Sequence, residues 1–519
     1  LAQGLPQRPA PSSRGLPGAM WLQRRQTVEL SEPSKGRRVL FLAAGTRGDV
    51  QPLVALASAC KAAGFEVLAA AQGAHLGFFE DFGVAVVDCD ILDNGGEPGV
   101  GPAFGALQDA ADLTPGQVRS MIEFAADFKP ELILSCSPGL AVAYAAADQL
   151  GVPVMECCLR LLLPTGCRSS PCGEPPWCFA CVHYALWLKF RRELYRACEQ
   201  SQLPVLQTLR GAESGAGPWC SFQAHLLDTV QPVAVGPLAI SSSVAELPSD
   251  APSQLAGAAP SGYLVVSRQD QMTKADDYFG CRAVLRAFID EAPKDAPIYI
   301  GVGSGSDAQR LAQVAMKAVM ACSRRGVVHC GGSSARADWL KGASDDLQLY
   351  VERRVVFVGS APHEWLFPRC AAVLHCGGIG TTACALRAGV PQLVLPESSE
   401  QLEQGALVAR LGVGVVFPSR RRGSAGTLAK ALGRVVADEA MLARCRDLGE
   451  VLQKEDGVKA AVQHVDRFFK DKVATGEWAV ANQRRQTERA ALRSGAADGC
   501  FGWCSRVLGC RSRTDFAPR

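Results

Sequence analysis

Short runs of apolar residues, each ended by a polar or glycine-rich turn and followed by a helical stretch, recur along most of the chain. The first covers residues 39–44 (VLFLAA), runs into Gly45-Thr-Arg-Gly-Asp-Val-Gln-Pro52, and leads to a helix predicted over 53–63 that Gly64 closes. A strand is predicted next over 65–71, with further strands over 82–88, 132–136 and 152–157 and helices over 115–128 and 140–150 between them. These runs are largely apolar rather than alternating, as strands buried on both faces are. Their order of strand, turn, helix and strand is that of a doubly wound parallel sheet.

The pattern starts again at Pro297-Ile-Tyr-Ile-Gly-Val-Gly-Ser-Gly-Ser306, with a helix predicted over 307–323 and strands over 327–329 and 355–358. It is clearest over 371–390, AAVLHCGGIGTTACALRAGV, where a strand over 371–374 meets a turn containing Gly377, Gly378 and Gly380. Thr381 and Thr382 are expected to cap a helix through 383–388, which Gly389 and Pro391 stop. A strand over 392–395, the polar cluster Glu397-Ser-Ser-Glu-Gln401 and helices over 405–410, 428–448 and 457–469 follow. The chain therefore reads as α/β, with a disordered leader over 1–36, a Rossmann-like domain over 37–240, a Ser/Ala/Pro-rich linker over 241–296, a second Rossmann-like domain over 297–470 and a charged, Cys-containing tail over 471–519.

A strand, a glycine turn and a helix N-terminus make an anion site, because free N–H groups and the positive end of the helix dipole converge on the turn. The expected ligand is a phosphate or diphosphate. The carboxylate and amide groups of 397–401, placed at the C-terminal edge of a parallel sheet, add hydroxyl-binding groups, and together these point to a nucleotide sugar.

Pro362-His-Glu-Trp-Leu-Phe-Pro, His375-Cys-Gly-Gly-Ile-Gly-Thr-Thr, Leu386-Arg-Ala-Gly-Val-Pro-Gln and Glu400-Gln401 occur in this order, after the Gly45–Pro52 octapeptide. In these blocks the chain resembles the sterol 3-beta-glucosyltransferases and the wider UDP-glycosyltransferase superfamily over roughly residues 37–470. The resemblance implies a GT-B architecture, two Rossmann-like domains facing a cleft, and transfer of a hexose from a UDP-sugar to a hydroxyl with inversion. It implies Asp49 as the base or base-orienting group, Thr46 and Arg47 facing the donor phosphates or the closed cleft, and Ser304 beside the diphosphate. Ala361 and His363 would lie near the uracil, with Gly378, Ile379, Gly380 and Thr381 on phosphate and Glu400 and Gln401 on sugar hydroxyls.

The chain departs from the family twice. It has His375-Cys376 where His-His is usual, so the phosphate-facing imidazole is replaced by a thiol, and His375, pointing the other way, cannot substitute. Glu400 stands where Asp is usual. The first departure leaves open a second reading, a catalytically weakened or inactive nucleotide-sugar-binding protein. A sugar-nucleotide epimerase of the same fold is a third, which the Gly45–Pro52 octapeptide argues against. No Gly-x-Ser-x-Gly elbow marks a hydrolase.

Composition narrows the partners. A net charge of +3 on 519 residues gives no ground for a nucleic-acid partner, although both ends are basic. The 21 cysteines are scattered rather than framed and read as buried thiols of a reducing, cytoplasmic compartment. Cys178-Phe-Ala-Cys181 has zinc-ligand spacing but no matching second pair, so no metal is expected, and no cofactor besides the UDP-sugar co-substrate. No apolar run reaches membrane-spanning length. Residues 500–510 (CFGWCSRVLGC) read either as an unstructured end, the favoured reading, or as a palmitoylated or membrane-surface anchor suited to a lipophilic acceptor.

Overall fold

The computed structural model describes residues 28–89, 115–136, 139, 142–143, 146–147, 150–158, 233–235, 259–303, 308–330, 336–397, 399–417 and 424–493. Strands β1 (Arg38–Ala43), β2 (Glu66–Ala71), β3 (Ala85–Asp88), β4 (Leu132–Ser135), β5 (Val154–Cys158), β6 (Val233–Val235) and β7 (Ala259–Gly262) form one sheet in the order β3-β2-β1-β4-β5-β6-β7. Strands β8 (Ile298–Gly301), β9 (Gly326–His329), β10 (Val355–Val358), β11 (Ala372–His375), β12 (Gln392–Val394) and β13 (Gly414–Val416) form another in the order β10-β9-β8-β11-β12-β13. Every strand pairing is parallel. The strand order reverses beside β1 in the first sheet and beside β8 in the second. Crevices for ligands open at such switch points, outside the carboxyl ends of the strands.

Burial accounts for the strands. Leu40, Phe41 and Leu42 of β1, and Val373 and Leu374 of β11, are shielded on both faces by helices and are essentially inaccessible. Each such side chain contributes about 1.5–3 kcal/mol of transfer free energy.

Several boundaries differ from those predicted. The first helix begins at Arg47, six residues before Leu53, and takes in Pro52. Its start is set by Asp49, whose Oδ2 accepts hydrogen bonds from the Thr46 N–H and hydroxyl, both at 2.8 Å. The helix after β11 runs Ile379–Ala388 with Gly378 as its N-cap, so Thr381 and Thr382 lie inside it rather than capping it. The Thr382 hydroxyl donates back to the Gly378 carbonyl at 3.0 Å. The single helix predicted over 428–448 is two, Ala425–Ala437 and Glu439–Gln453, because Asp438 leaves the helical region and caps the second by accepting from the Met441 N–H at 2.9 Å. The helix predicted over 405–410 begins earlier, as Ser399–Arg410.

Residues 259–262, within the stretch expected as linker, form the last strand of the first sheet. Order also begins before residue 37, since Val28 and Leu30 are buried and Ser31 donates to Asp466 Oδ1 from its N–H (2.9 Å) and hydroxyl (2.7 Å). Asp466 belongs to the helix Gly457–Phe468, which lies against β7 and the helix Arg47–Ala63. Beyond it the stretch expected as tail contains another helix, Glu477–Arg493. No helix among the described residues is long and apolar enough to cross a membrane. The cysteine cluster at 158–181, Ser304 and the 500–510 segment lie outside the described residues, except for the backbone of Cys158.

Candidate functional site

The loops after β1, β8 and β11 meet at the two switch points. After β11 the chain turns at Gly377, whose φ of +97° and distance to Gln401 admit no side chain. A Cβ there would lie 2.7 Å from the Gln401 carbonyl oxygen. The turn delivers the N-terminus of the helix Ile379–Ala388, where the first intrahelical donor is the Thr382 N–H, bonded to Gly378 at 2.9 Å. The N–H groups of Ile379, Gly380 and Thr381 therefore remain for a ligand. A Cβ built on Gly378 or Gly380 would meet nothing within 4 Å, so the ground above these donors is open.

His375 points away from that ground and is buried. Its Nδ1 accepts the Gly377 N–H at 3.1 Å, so Nε2 carries the proton and donates to Gln392 Oε1 at 2.9 Å. Burial pulls its pKa down from 6.5 to about 4, the Gln392 bond opposing. His375, expected among the donor-binding residues although facing away from the phosphate, instead shapes the glycine turn, with both ring nitrogens engaged there. Cys376 faces the other way. A Cβ on Gly303 would stand 3.7 Å from Cys376 Sγ and 3.8 Å from Glu397 Oε2, which places thiol and carboxylate together above the ends of β8 and β11.

The histidines set a stability prediction. A base whose pKa is depressed on folding stabilises the fold fully above its unfolded value and loses that contribution as pH falls through its folded value. His375 and His329 are both pulled from 6.5 to about 4, chiefly by burial, and His363 is lowered well below its ordinary value for the same reason. Denaturant midpoints are expected to hold above pH 7 and to fall between pH 6.5 and 4, with His375 alone accounting for about 3 kcal/mol. His375→Gln should flatten the fall. Parallel wild-type and variant curves would refute this origin.

Beside Ala361, which is fully buried, His363 stacks on Phe367 with ring centroids 4.4 Å apart and shares a 2.9 Å hydrogen bond with the Tyr299 hydroxyl. His329, at the end of β9, lies 6.3 Å from it, ring to ring. Neutral imidazoles and aromatic rings make this end of the site suited to a planar heterocycle.

The first sheet contributes the Gly45–Asp49 turn. Asp49 is half-buried and its Oδ2 serves the helix cap, with the Cys136 thiol 3.7 Å from its backbone carbonyl. Arg47 reaches across to the second half. Its guanidinium lies over the rings of Phe279 (5.0 Å) and Tyr278 (5.7 Å), and its charge helps to depress His329 and His363. It makes no ion pair among the described residues, and its one side-chain hydrogen bond there is Nε to Gln51 Oε1 at 3.3 Å. Burial lowers its own pKa, though guanidinium stays charged.

The structure thus gathers Arg47, His363, Cys376 and the N–H donors of Ile379, Gly380 and Thr381 around one crevice, with Thr46 and Asp49 joined at the helix start beside Arg47 and His375 buried behind the glycine turn. Gln401 is partly committed, accepting the Glu397 N–H at 2.7 Å on its side-chain oxygen. Glu400 is placed by its backbone on the helix Ser399–Arg410. Among the described residues no cluster of three or more His, Cys, Asp or Glu side chains could hold a metal. His329, Tyr278 and Phe279 were not singled out from the sequence, and Glu397 only as part of the polar run 397–401. They reach the crevice through tertiary packing, and only the polar run at 397–401 gave a local signal.

The profile of the Erythromycin biosynthesis protein CIII-like, C-terminal domain family matches residues 340–455. Over 85% of its length the chain is 26% identical to a sterol 3-beta-glucosyltransferase of Aspergillus clavatus, of which it spans 30%. It is 24% identical to sterol 3-beta-glucosyltransferase UGT80B1 of Arabidopsis thaliana, over 83% of this chain and 68% of that protein. The fold is shared with glycosyltransferase SsfS6 of Streptomyces sp. SF2575, solved with thymidine diphosphate (TM-score 0.52, 20% identity, 83% of this chain and 99% of that one). It is shared also with the calicheamicin glycosyltransferase CalG4 (TM-score 0.55, 14% identity, 84% and 99%). Two parallel Rossmann-like sheets and these structural neighbours agree: the chain has the GT-B fold, and along most of its length it is similar in sequence to the sterol 3-beta-glucosyltransferases.

Proposed function

We propose that this chain transfers a hexose, glucose in the first instance, from a UDP-sugar to a hydroxyl of a sterol or similar lipophilic acceptor, with inversion and without a metal ion. The observation that carries the reading is the set of open N–H groups at Ile379, Gly380 and Thr381 in the same crevice as the Arg47 cation, a double positive site for a diphosphate. Asp49 takes the proton of the acceptor hydroxyl. The oxygen attacks the anomeric carbon from the face opposite the diphosphate, the glycosidic C–O bond to phosphate breaks, and UDP departs with the electron pair. Preorganised N–H dipoles and Arg47 stabilise that charge, which is the role a metal ion plays elsewhere. The base rests on His363, Tyr299 and the Ala361 backbone. The fungal and plant relatives named above supply the sterol and the glucose, and the neighbour holding thymidine diphosphate supports a nucleoside diphosphate in this fold. A peripheral membrane association would follow from a lipophilic acceptor.

The test is release of UDP from UDP-glucose with a panel of sterols. Sterol-dependent release supports the reading, and binding of UDP-glucose without release from any acceptor points to the second one, a nucleotide-sugar binder that has lost turnover. A specific observation favours weighing that second reading: Cys376 occupies the ground beside Gly303 and Glu397 where an imidazole would add charge. Cys376→His is expected to raise turnover about tenfold, by a charge-assisted bond to the leaving diphosphate. An unchanged or lower rate in the variant would show that Arg47 and the helix N-terminus already suffice.

A further inference from the structure

We infer that His75 and Tyr278 form a clasp that positions the Gly45–Asp49 turn, and that His75 is thereby a positioning residue for the transfer proposed above, on which the catalytic half of this inference rests. His75 ends a short 3-10 turn, Gly73–His75, after β2 and is buried. Its Nε2 lies 3.0 Å from the Gly45 carbonyl and its Nδ1 2.6 Å from the Tyr278 hydroxyl. The Gly45 carbonyl can only accept, so Nε2 carries a proton and donates to it, while Nδ1 and the Tyr278 hydroxyl share the second bond. The same hydroxyl donates to the Ala74 carbonyl at 2.8 Å. Gly45 is held from its other side as well, its N–H 3.4 Å from Gln72 Oε1. Both polar groups of the residue that starts the turn are thus bonded from one segment, residues 72–75.

Tyr278 carries the link to the other half of the molecule. Its ring stacks on Phe78 with centroids 4.0 Å apart and 16° between planes, and the Arg47 guanidinium lies 5.7 Å from its centroid. Burial raises its pKa to about 12, so the phenol stays protonated and able to donate. The segment that presents it is held in an unfavourable backbone, with Ala275 at φ 53° and Cys281 at φ 58° on either side of the short helix Asp276–Phe279. Arg282 holds that conformation, donating to Asp276, to the Lys274 carbonyl and, from Nε, to the Gln271 carbonyl at 2.9 Å. Non-glycine residues in this region persist only where surroundings over-determine them. Here the strained segment delivers one ring that touches both the histidine holding Gly45 and the arginine two residues on.

The experiment measures amide hydrogen exchange over residues 45–50 and turnover of UDP-glucose in the full chain. It uses wild type, His75→Leu, His75→Gln, Tyr278→Phe and the His75→Leu/Tyr278→Phe pair. Tyr278→Phe keeps both ring contacts and deletes only the hydroxyl. Exchange in the turn is expected to rise about tenfold in His75→Leu, with the pair no worse than the worse single variant, since both break one link. His75→Gln, which offers one donor and one acceptor, should recover most of the protection. Turnover should fall about tenfold to a hundredfold through kcat, with the donor KM within about threefold. Unchanged protection in His75→Leu, or effects of the two single variants that simply add, would overturn the clasp. A wild type that turns over no acceptor would defeat the transferase reading instead, and the exchange data would still decide the clasp.

Discussion

Asp49→Asn is expected to lower acceptor-dependent UDP release by about a hundredfold to ten-thousandfold, the range for loss of a general base. The variant is informative because Asp49 has a second occupation. Its Oδ2 accepts the Thr46 N–H and hydroxyl and so sets the start of the helix Arg47–Ala63. An Asn at this position keeps an oxygen for both bonds but cannot take a proton, whereas Asp49→Ala loses cap and base together. Asp49→Asn should therefore melt within a degree or two of wild type. Asp49→Ala should lose about 1 kcal/mol of stability besides its activity. Turnover in Asp49→Asn within threefold of wild type would reduce Asp49 to a capping residue and send the search for the base elsewhere.

The legible parts of this fold were those whose signal is local. β10 and the helix Pro115–Phe128 stand at their predicted bounds, and β1, β9 and β11 within one residue, because buried parallel strands leave uninterrupted apolar runs between turns. Errors gathered where a second signal competes. Pro52 reads as a turn residue, yet the Thr46–Asp49 cap starts the helix upstream and carries it through the proline. Thr381 and Thr382 read as caps, yet Gly378 has the extended backbone of an N-cap and the threonines fall one turn in. β7 was missed because APSG has no strand character of its own. It is a strand by pairing with β6 and by close packing on Gly457, where a Cβ would lie 2.4 Å from the Tyr263 carbonyl. The crevice follows the same rule. The glycine turn and its helix were readable as an anion site from 20 consecutive residues. His75, Tyr278 and His329 come from distant segments and carry no local mark of a role.

Arg47→Met is expected to weaken binding of UDP on the order of a hundredfold while leaving the ligand-free protein as stable as wild type or more so. Truncating one partner of a desolvated charge pair costs about 2–5 kcal/mol of binding free energy. In the free protein, however, Arg47 makes no ion pair among the described residues, and a half-buried cation without a carboxylate costs desolvation that a thioether does not. The two halves of the result separate the roles open to this side chain. A cation reserved for phosphate gives loss of UDP-induced stabilisation, about 3 kcal/mol at a hundredfold excess over Kd in wild type, with no loss in the free state. A cation whose task is to rivet the halves by lying over Phe279 and Tyr278 gives the reverse. In that case the free protein melts earlier and UDP, once bound, stabilises it as before. Titration calorimetry with UDP and thermal melts of both proteins decide between them. The first outcome is expected, because burial already works against the Arg47 charge, which makes no ion pair among the described residues and helps to hold His329 and His363 neutral beside it.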